Sequence, residues 1–315
     1  MQSGKCGGVL WGAQALVIVA AMELPDLPSV ADEAGASPSA GPIGVFDSGI
    51  GGLTVVAALQ RLLPAERIFY IGDTARVPYG GKSRRTIERY SVEIAGLLLA
   101  EQAKLIVVAC NTASALAVPR LKQLFNLPVQ GVIDPGAAAA VRSTRNGRIG
   151  VIGTRATIAS HAYEQAIHAL MPDAQVFAEP TPVLVPLIEE AWFDDAITDQ
   201  VLHRYLDPLL AEGVDTLVLG CTHYPFLDRA IRDIAGERLQ IIDTSVAIAR
   251  QLDRLLDAHA QKNVSTPPET LPRFYSTADG ETQRQLAAAL LQLDAKVEHV
   301  DIPSRRTRLA EPDIV

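Results

Sequence analysis

Two short apolar runs in this 315-residue chain end in the same way, and that repetition limits the possible folds more than any other feature. Thr216-Leu217-Val218-Leu219-Gly220 stops at Cys221-Thr222-His223, and Leu105-Ile106-Val107-Val108-Ala109 stops at Cys110-Asn111-Thr112. A continuous apolar run of this length reads as a parallel strand buried on both faces. Each run has a companion upstream: Ile43-Gly44-Val45-Phe46-Asp47-Ser48-Gly49 matches Ile149-Gly150-Val151-Ile152-Gly153-Thr154. The pattern predicts two equivalent halves, each delivering one thiol to the carboxyl end of a strand, where ligands bind in open α/β sheets. The bland alternative is that each cysteine is a small core residue. The expected fold is α/β, with two pseudo-symmetric, doubly wound α/β domains and the active site in the cleft between them.

Residues 43–136 together with 245–302 are expected to form the first domain, and 137–244 the second. Thr157 to Leu170 reads as one helix, Ala137 to Arg142 as another, and Gln261 to Pro272 as a polar loop. Residues 1–42 stand apart. Cys6 to Met22 is mostly apolar and follows Lys5, like a signal-peptide core, but is short for a membrane span. Glu23 to Pro42 has linker composition. A start at Met22 or a disordered extension is favoured over secretion. The charged tail, 303–315, is expected to be flexible.

A net charge of −8 and a pI near 5.3 argue against a nucleic-acid partner, which usually calls for a basic stripe. The three cysteines, Cys6, Cys110 and Cys221, form neither a disulfide framework nor a zinc-spaced cluster. That points to a reducing, cytoplasmic location, with no metal and no membrane partner. Two tempting motifs fail. Gly49-Ile50-Gly51-Gly52-Leu53-Thr54 has Thr where the dinucleotide fingerprint needs its last Gly, and Gly81-Lys82-Ser83 has Arg76 where a P-loop needs its first. The glycine turn after Asp47 instead suits an anion at a helix N-terminus. Pro78-Tyr79-Gly80-Gly81 reads as a loop able to clamp a small ligand.

If the halves close on each other, Cys110 and Cys221 flank one small ligand. One thiolate can then remove a proton from a carbon while the other thiol delivers one to the opposite face, which inverts a stereocentre. His223 is placed to exchange a proton with Cys221, and Asp47 with Cys110. Asn111, Thr112 and Thr222 are uncharged donors suited to a carboxylate or a developing enolate-like oxygen. No segment reads as a cofactor site.

These residues are similar to a known family. The stretches Gly44 to Thr54, Gly72 to Gly80, Cys110-Asn111-Thr112-Ala113-Ser114 and Gly220 to Pro225 resemble the glutamate racemases of the aspartate/glutamate racemase superfamily, over about residues 43–300. The resemblance implies a cofactor-independent isomerase that interconverts L- and D-glutamate for peptidoglycan, and hence for the cell wall and cell shape. It implies Cys110 and Cys221 as the two bases, the second usually acting on the L isomer. Asp47, Ser48, Tyr79, Gly80, Asn111, Thr112, Thr222 and His223 match its substrate-contacting positions, with Thr154 and Thr157 as weaker matches. Either Glu189 or Glu190 matches a family glutamate. Asp134-Pro135-Gly136 departs from an expected Glu-Pro-Gly. A homodimer is compatible with this reading. The rival readings are a racemase of aspartate or a hydantoin, a redox protein with a Cys110–Cys221 disulfide, and a non-catalytic binding protein.

Overall fold

The computed structural model describes residues 41–259, 261–263, 272–291 and 295–302. The expectations for residues 1–40 and 303–315, and for most of the 261–272 loop, lie outside the described residues. Gly41 and Pro42 do not belong with a detached linker, because the Pro42 carbonyl accepts a hydrogen bond from the Lys104 amide at 2.9 Å.

The chain builds two parallel sheets in succession. The first half runs β1 (Ile43–Asp47), α1 (Leu53–Leu62), β2 (Ile68–Gly72), α2 (Arg84–Ala100), β3 (Leu105–Val108), α3 (Asn111–Leu124) and β4 (Val129–Gly131). Helix α4 (Ile133–Ser143) then leads to β5 (Arg148–Gly153), α5 (Arg155–Ala159), α6 (Ala162–Leu170), β6 (Gln175–Pro180), α7 (Leu184–Glu189) and α8 (Ala196–Ala211). Strand β7 (Thr216–Gly220), α9 (Asp228–Ala235), β8 (Gln240–Asp243) and α10 (Thr244–Ala258) follow. The chain finally returns to the first sheet through β9 (Arg273–Ser276), α11 (Glu281–Leu291) and β10 (Val297–His299).

The sheet orders are β10-β9-β2-β1-β3-β4 and β6-β5-β7-β8. Once β9 and β10 are set aside, the two orders correspond strand for strand. The register repeats too: Ile43 opposes Leu105 in one sheet as Ile149 opposes Thr216 in the other. The apolar runs are legible because both faces of each sheet are covered. Phe46, Ile106 and Val108 pack under α2 and α3, whereas Val45 and Val107 face α1 and α10. In the second sheet Ile152, Leu217 and Leu219 meet α7, α8 and α9, while Val151 and Val218 meet α4 and α6. Helix α10 packs on both α1 and α4 and so ties the halves together.

Three elements differ from the sequence reading. Strand β6 was not expected; it is an edge strand with only β5 beside it, and none of its residues is fully buried. The helix read across 157–170 is two helices, broken at His161, whose φ of 55° lies in the left-handed region. Helix α4 begins at Ile133, ahead of the expected Ala137, because Pro135 falls within its first turn, where the missing N–H costs nothing.

The entry to the second sheet hangs on one buried carboxylate. Asp215 accepts from Thr144 Oγ1 (2.7 Å), the amides of Arg145 (2.8 Å) and Asn146 (2.9 Å), and Thr216 Oγ1 (2.9 Å). Burial opposes its charge, but these bonds outweigh burial and hold its pKa below the ordinary carboxylate value. Asp215→Ala is expected to cost about 1–3 kcal/mol at pH 7, from the amides and hydroxyls it strands. A depressed carboxylate stabilises above its unfolded pKa, so the gap between the urea midpoints of native protein and variant should shrink as the pH falls below about 4.

Candidate active site

Parallel pairing fixes what emerges at the carboxyl edge of each sheet. Phe46 opposes Val108, so the residues after β1 and β3 leave side by side; Gly153 opposes Gly220, so Thr154 leaves beside Cys221. The two edges open on one cavity of about 300 Å³. The first half contributes Ser48, Tyr79, Gly80, Cys110, Asn111 and Thr112 to its wall, and the second Thr154, Glu189, Cys221, Thr222 and His223. Both thiols are free and buried. Among the described residues, no three His, Cys, Asp or Glu side chains gather in a way that would hold a metal ion.

The thiols sit in opposite electrostatic surroundings. Cys110 is the N-cap of α3 and accepts from the Ala113 amide at 3.5 Å, and its Sγ donates to Ser48 Oγ at 3.4 Å. Burial and the nearby Asp47 carboxylate push its pKa up to about 12, against the helix dipole and these hydrogen bonds. Cys221 Sγ lies 3.7 Å from His223 Nδ1, and His223 Nε2 lies 3.4 Å from Glu189 Oε1. Burial works against charge on His223, but Cys221, Glu189 and Asp47 outweigh it and push its pKa up to about 10. At neutral pH an imidazolium therefore faces Cys221. Nε2 is close enough to Glu189 for ion pairing but is not aligned for a hydrogen bond. Of the two candidate acids it is Glu189 that reaches the cavity wall; Glu190 is exposed and not part of the wall.

Asp47 and the glycine turn differ from expectation. Asp47 is fully buried and is not among the residues lining the cavity. Its carboxylate accepts from the Gly49 amide at 3.0 Å and from Thr222 Oγ1 at 3.4 Å, with the amides of Gly52 and Ser48 adding to the grip. The anion held by the turn is thus the chain's own. Burial still raises the pKa of Asp47 above the usual carboxylate value. Gly51 is a glycine because a Cβ there would fall 2.4 Å from Thr222 Oγ1 and 2.7 Å from His223 Nδ1.

The remaining wall is braced from behind. Tyr79 donates to Asp73 Oδ2 at 2.5 Å; Asp73 also accepts from Arg76 and, at 2.9 Å, from Thr277 just after β9. The Pro-Tyr-Gly-Gly segment is therefore a fixed wall, with Tyr79 only 1% exposed. Gly80 abuts Thr154, where a Cβ would meet a side-chain carbon at 2.8 Å. Thr112, Thr154 and Thr157 form a triangle of hydroxyls 2.9–3.1 Å apart that spans the two halves. Asp134 is exposed on the first turn of α4 and away from the cavity, so its departure from the family pattern does not touch the wall. Sequence reading missed Asp73, Arg155, Thr181, Val185 and Pro186 at or behind the wall. Only Asp73, inside a quoted motif, carried a signal.

Residues 43–252 match the Asp/Glu/Hydantoin racemase family. The glutamate racemase of Syntrophus aciditrophicus is 49% identical over 242 residues, which are 76% of this chain and 89% of that one. Among solved structures, a glutamate racemase isoform from Bacillus anthracis superposes with a TM-score of 0.81 at 39% identity, covering 84% of this chain and 99% of its own. The glutamate racemase of Francisella tularensis, in complex with D-glutamate, gives a TM-score of 0.78 at 37% identity, covering 85% of this chain and all of its own.

The raised Cys110 thiol makes a prediction that needs no assay of function. A pKa near 12 leaves little thiolate at pH 8, so iodoacetamide should alkylate Cys110 at least about 100-fold more slowly than a free cysteine. Mass spectrometry of the Cys110 peptide over time reads this. Labelling at the free-cysteine rate would show that Asp47 and burial do not hold the proton.

Proposed function

The chain belongs to the Asp/Glu/Hydantoin racemase family, and from that premise we propose that it is a glutamate racemase in which Cys110 and Cys221 exchange the α-proton. The observation that carries this reading is the convergence of the two thiols, from equivalent strand ends of two sheets, on one small cavity. D-Glutamate occupies the related enzyme of Francisella tularensis, and the same amino acid is the substrate proposed here.

In the resting protein Asp47 keeps Cys110 protonated, and His223, its pKa raised against burial by Cys221, Glu189 and Asp47, is the proton-holding group beside Cys221. That state is ready for L-glutamate: Cys221 removes the α-proton, and Cys110 donates its own proton to the opposite face. The roles reverse for D-glutamate. His223 and Glu189 stabilise charge on the Cys221 side, and Ser48, within hydrogen-bonding distance of Cys110, steadies the other thiol. Asn111 and Thr112 supply hydrogen bonds to the carboxylate, where charge builds as the α-carbon loses its proton, whereas the hydroxyl proton of Thr222 is committed to Asp47. Thiols, imidazole and fixed donors are sufficient in this scheme, so no cofactor is invoked. The product would supply D-glutamate for peptidoglycan, which fits a cytoplasmic enzyme. No helix among the described residues is long and apolar enough to cross a membrane.

Incubation of the protein with L-glutamate in D2O, without added cofactor, is expected to abolish the circular dichroism signal while deuterium enters the α-carbon. Cys110→Ala and Cys221→Ala should each reduce that rate by at least 10²–10⁴-fold, the usual worth of a positioned acid or base. Full activity in either variant would refute the two-thiol scheme, and faster turnover of aspartate would reassign the substrate. The pH profile offers a further check. A raised imidazole keeps its proton below its folded pKa and loses it above, so activity should fall as the pH rises through about 10. A profile flat through that region would remove His223⁺ from the mechanism.

A further inference from the structure

Tyr163, on α6, is absent from the cavity wall, yet its hydroxyl lies 2.5 Å from Oδ1 of Asn111 in the other half of the molecule. That separation belongs to an O–H···O bond and is short for N–H···O, so the contact is made by the amide's oxygen. The amide's other end, Nδ2, is buried without a partner, in a residue 2% exposed that lines the cavity. An asparagine can present either a donor or an acceptor, and what decides is the hydrogen bond on its far side.

The phenol is held where it can make that choice. Its ring occupies a slot between two glycines: a Cβ on Gly136 would lie 3.2 Å from Cε1, and one on Gly220 would lie 3.3 Å from Cε2. Gly220 directly precedes Cys221, and Asn111 directly follows Cys110. Tyr163 therefore joins the loop of one thiol to the strand end of the other. The opposite loop has a counterpart contact, in which Thr222, directly after Cys221, donates to Asp47 of the first half.

We propose that Tyr163 is a positioning residue that acts through Asn111: its hydroxyl engages Oδ1 and so turns Nδ2–H2 toward the cavity as a donor for the substrate's carboxylate. The opposite orientation would aim an oxygen lone pair at an anion. This inference rests on the glutamate reading above, and its test separates the two.

Tyr163→Phe keeps the ring in its slot and removes only the hydroxyl. In the full chain it is expected to lower kcat/KM for glutamate by about 10–100-fold, with a melting temperature close to that of the native protein. In an Asn111→Ala background the same change should cost less than about twofold, because the group it acts through is gone. Equal losses in both backgrounds, or native activity in Tyr163→Phe, would overturn the proposal. A second measurement does not depend on turnover. The side-chain amide NMR signal of Asn111, assigned by its loss in Asn111→Ala, should shift in Tyr163→Phe, and an unmoved signal would also overturn the proposal. A native protein inert toward glutamate would sink the functional reading, while the NMR comparison would still decide the contact.

Discussion

Thr222, in the exit loop of one sheet, and Asp47, at the end of a strand in the other, meet at 3.4 Å in a place neither could reach within its own half. Much of the cavity wall follows the same rule. Asn111 is gripped by Tyr163, Thr112 by Thr154 and Thr157, and Gly80 rests on Thr154. Several polar groups presented to the cavity by one loop are thus aimed by a residue of the other half. Buried polar groups without partners are costly, so these contacts stabilise the closed arrangement of the sheets as well as directing the site. The closeness at Gly51 marks how tight the apposition is, since a single added carbon there would collide with Thr222 and His223 together.

Burying two thiols, a carboxylate and an imidazole in one small space would be prohibitive if their charges were arranged at random. Here they alternate. Asp47 faces His223 through its charge, His223 lies between Cys221 and Glu189, and Cys110 is left on the side where the negative charge of Asp47 keeps it protonated. The two thiols, chemically identical, thus sit in different surroundings, one beside a buried carboxylate and the other beside an imidazole of raised pKa.

Much of this was legible in the sequence, because the strand-to-cysteine repeat is local and both sheets are covered on both faces, which makes their strands continuous apolar runs. The repeat predicted the matching sheets, and the structure carries it down to register. What was hidden depends on distance in space. Strand β6 is a half-buried edge whose polar and apolar residues follow no clear alternation. The break at His161 carries no Gly or Pro; the turn there is closed locally, the Ser160 Oγ accepting from the Ala162 amide at 3.2 Å. Glu189 and Glu190 are neighbours in sequence but point differently at the end of a short helix, and only the fold separates them. Tyr163 sits in a stretch with no motif, and its importance comes from a partner 52 residues away.

The repeat also bears on why the site is built from two halves. A reaction that interconverts mirror images needs an acid and a base on opposite faces of one carbon, and a pseudo-two-fold axis through the cavity supplies equivalent positions for both. The substrate is not symmetric about that axis, however, since its carboxylates, ammonium group and side chain must be held in one orientation while either face is worked on. Identical halves could not do this. The departures from the repeat fall where such discrimination is needed. Asp47 corresponds to Gly153, and Asn111 to Thr222, while Ser48 and Thr154, both hydroxyls, stay alike beside the thiols. The residues after the cysteines are anchored with opposite polarity, Asn111 accepting from Tyr163 and Thr222 donating to Asp47. Asn111 is thereby left to offer hydrogens to the cavity and Thr222 to offer lone pairs. Symmetry in the backbone places the two thiols, and asymmetry in the side chains that hold their neighbours gives the cavity a direction.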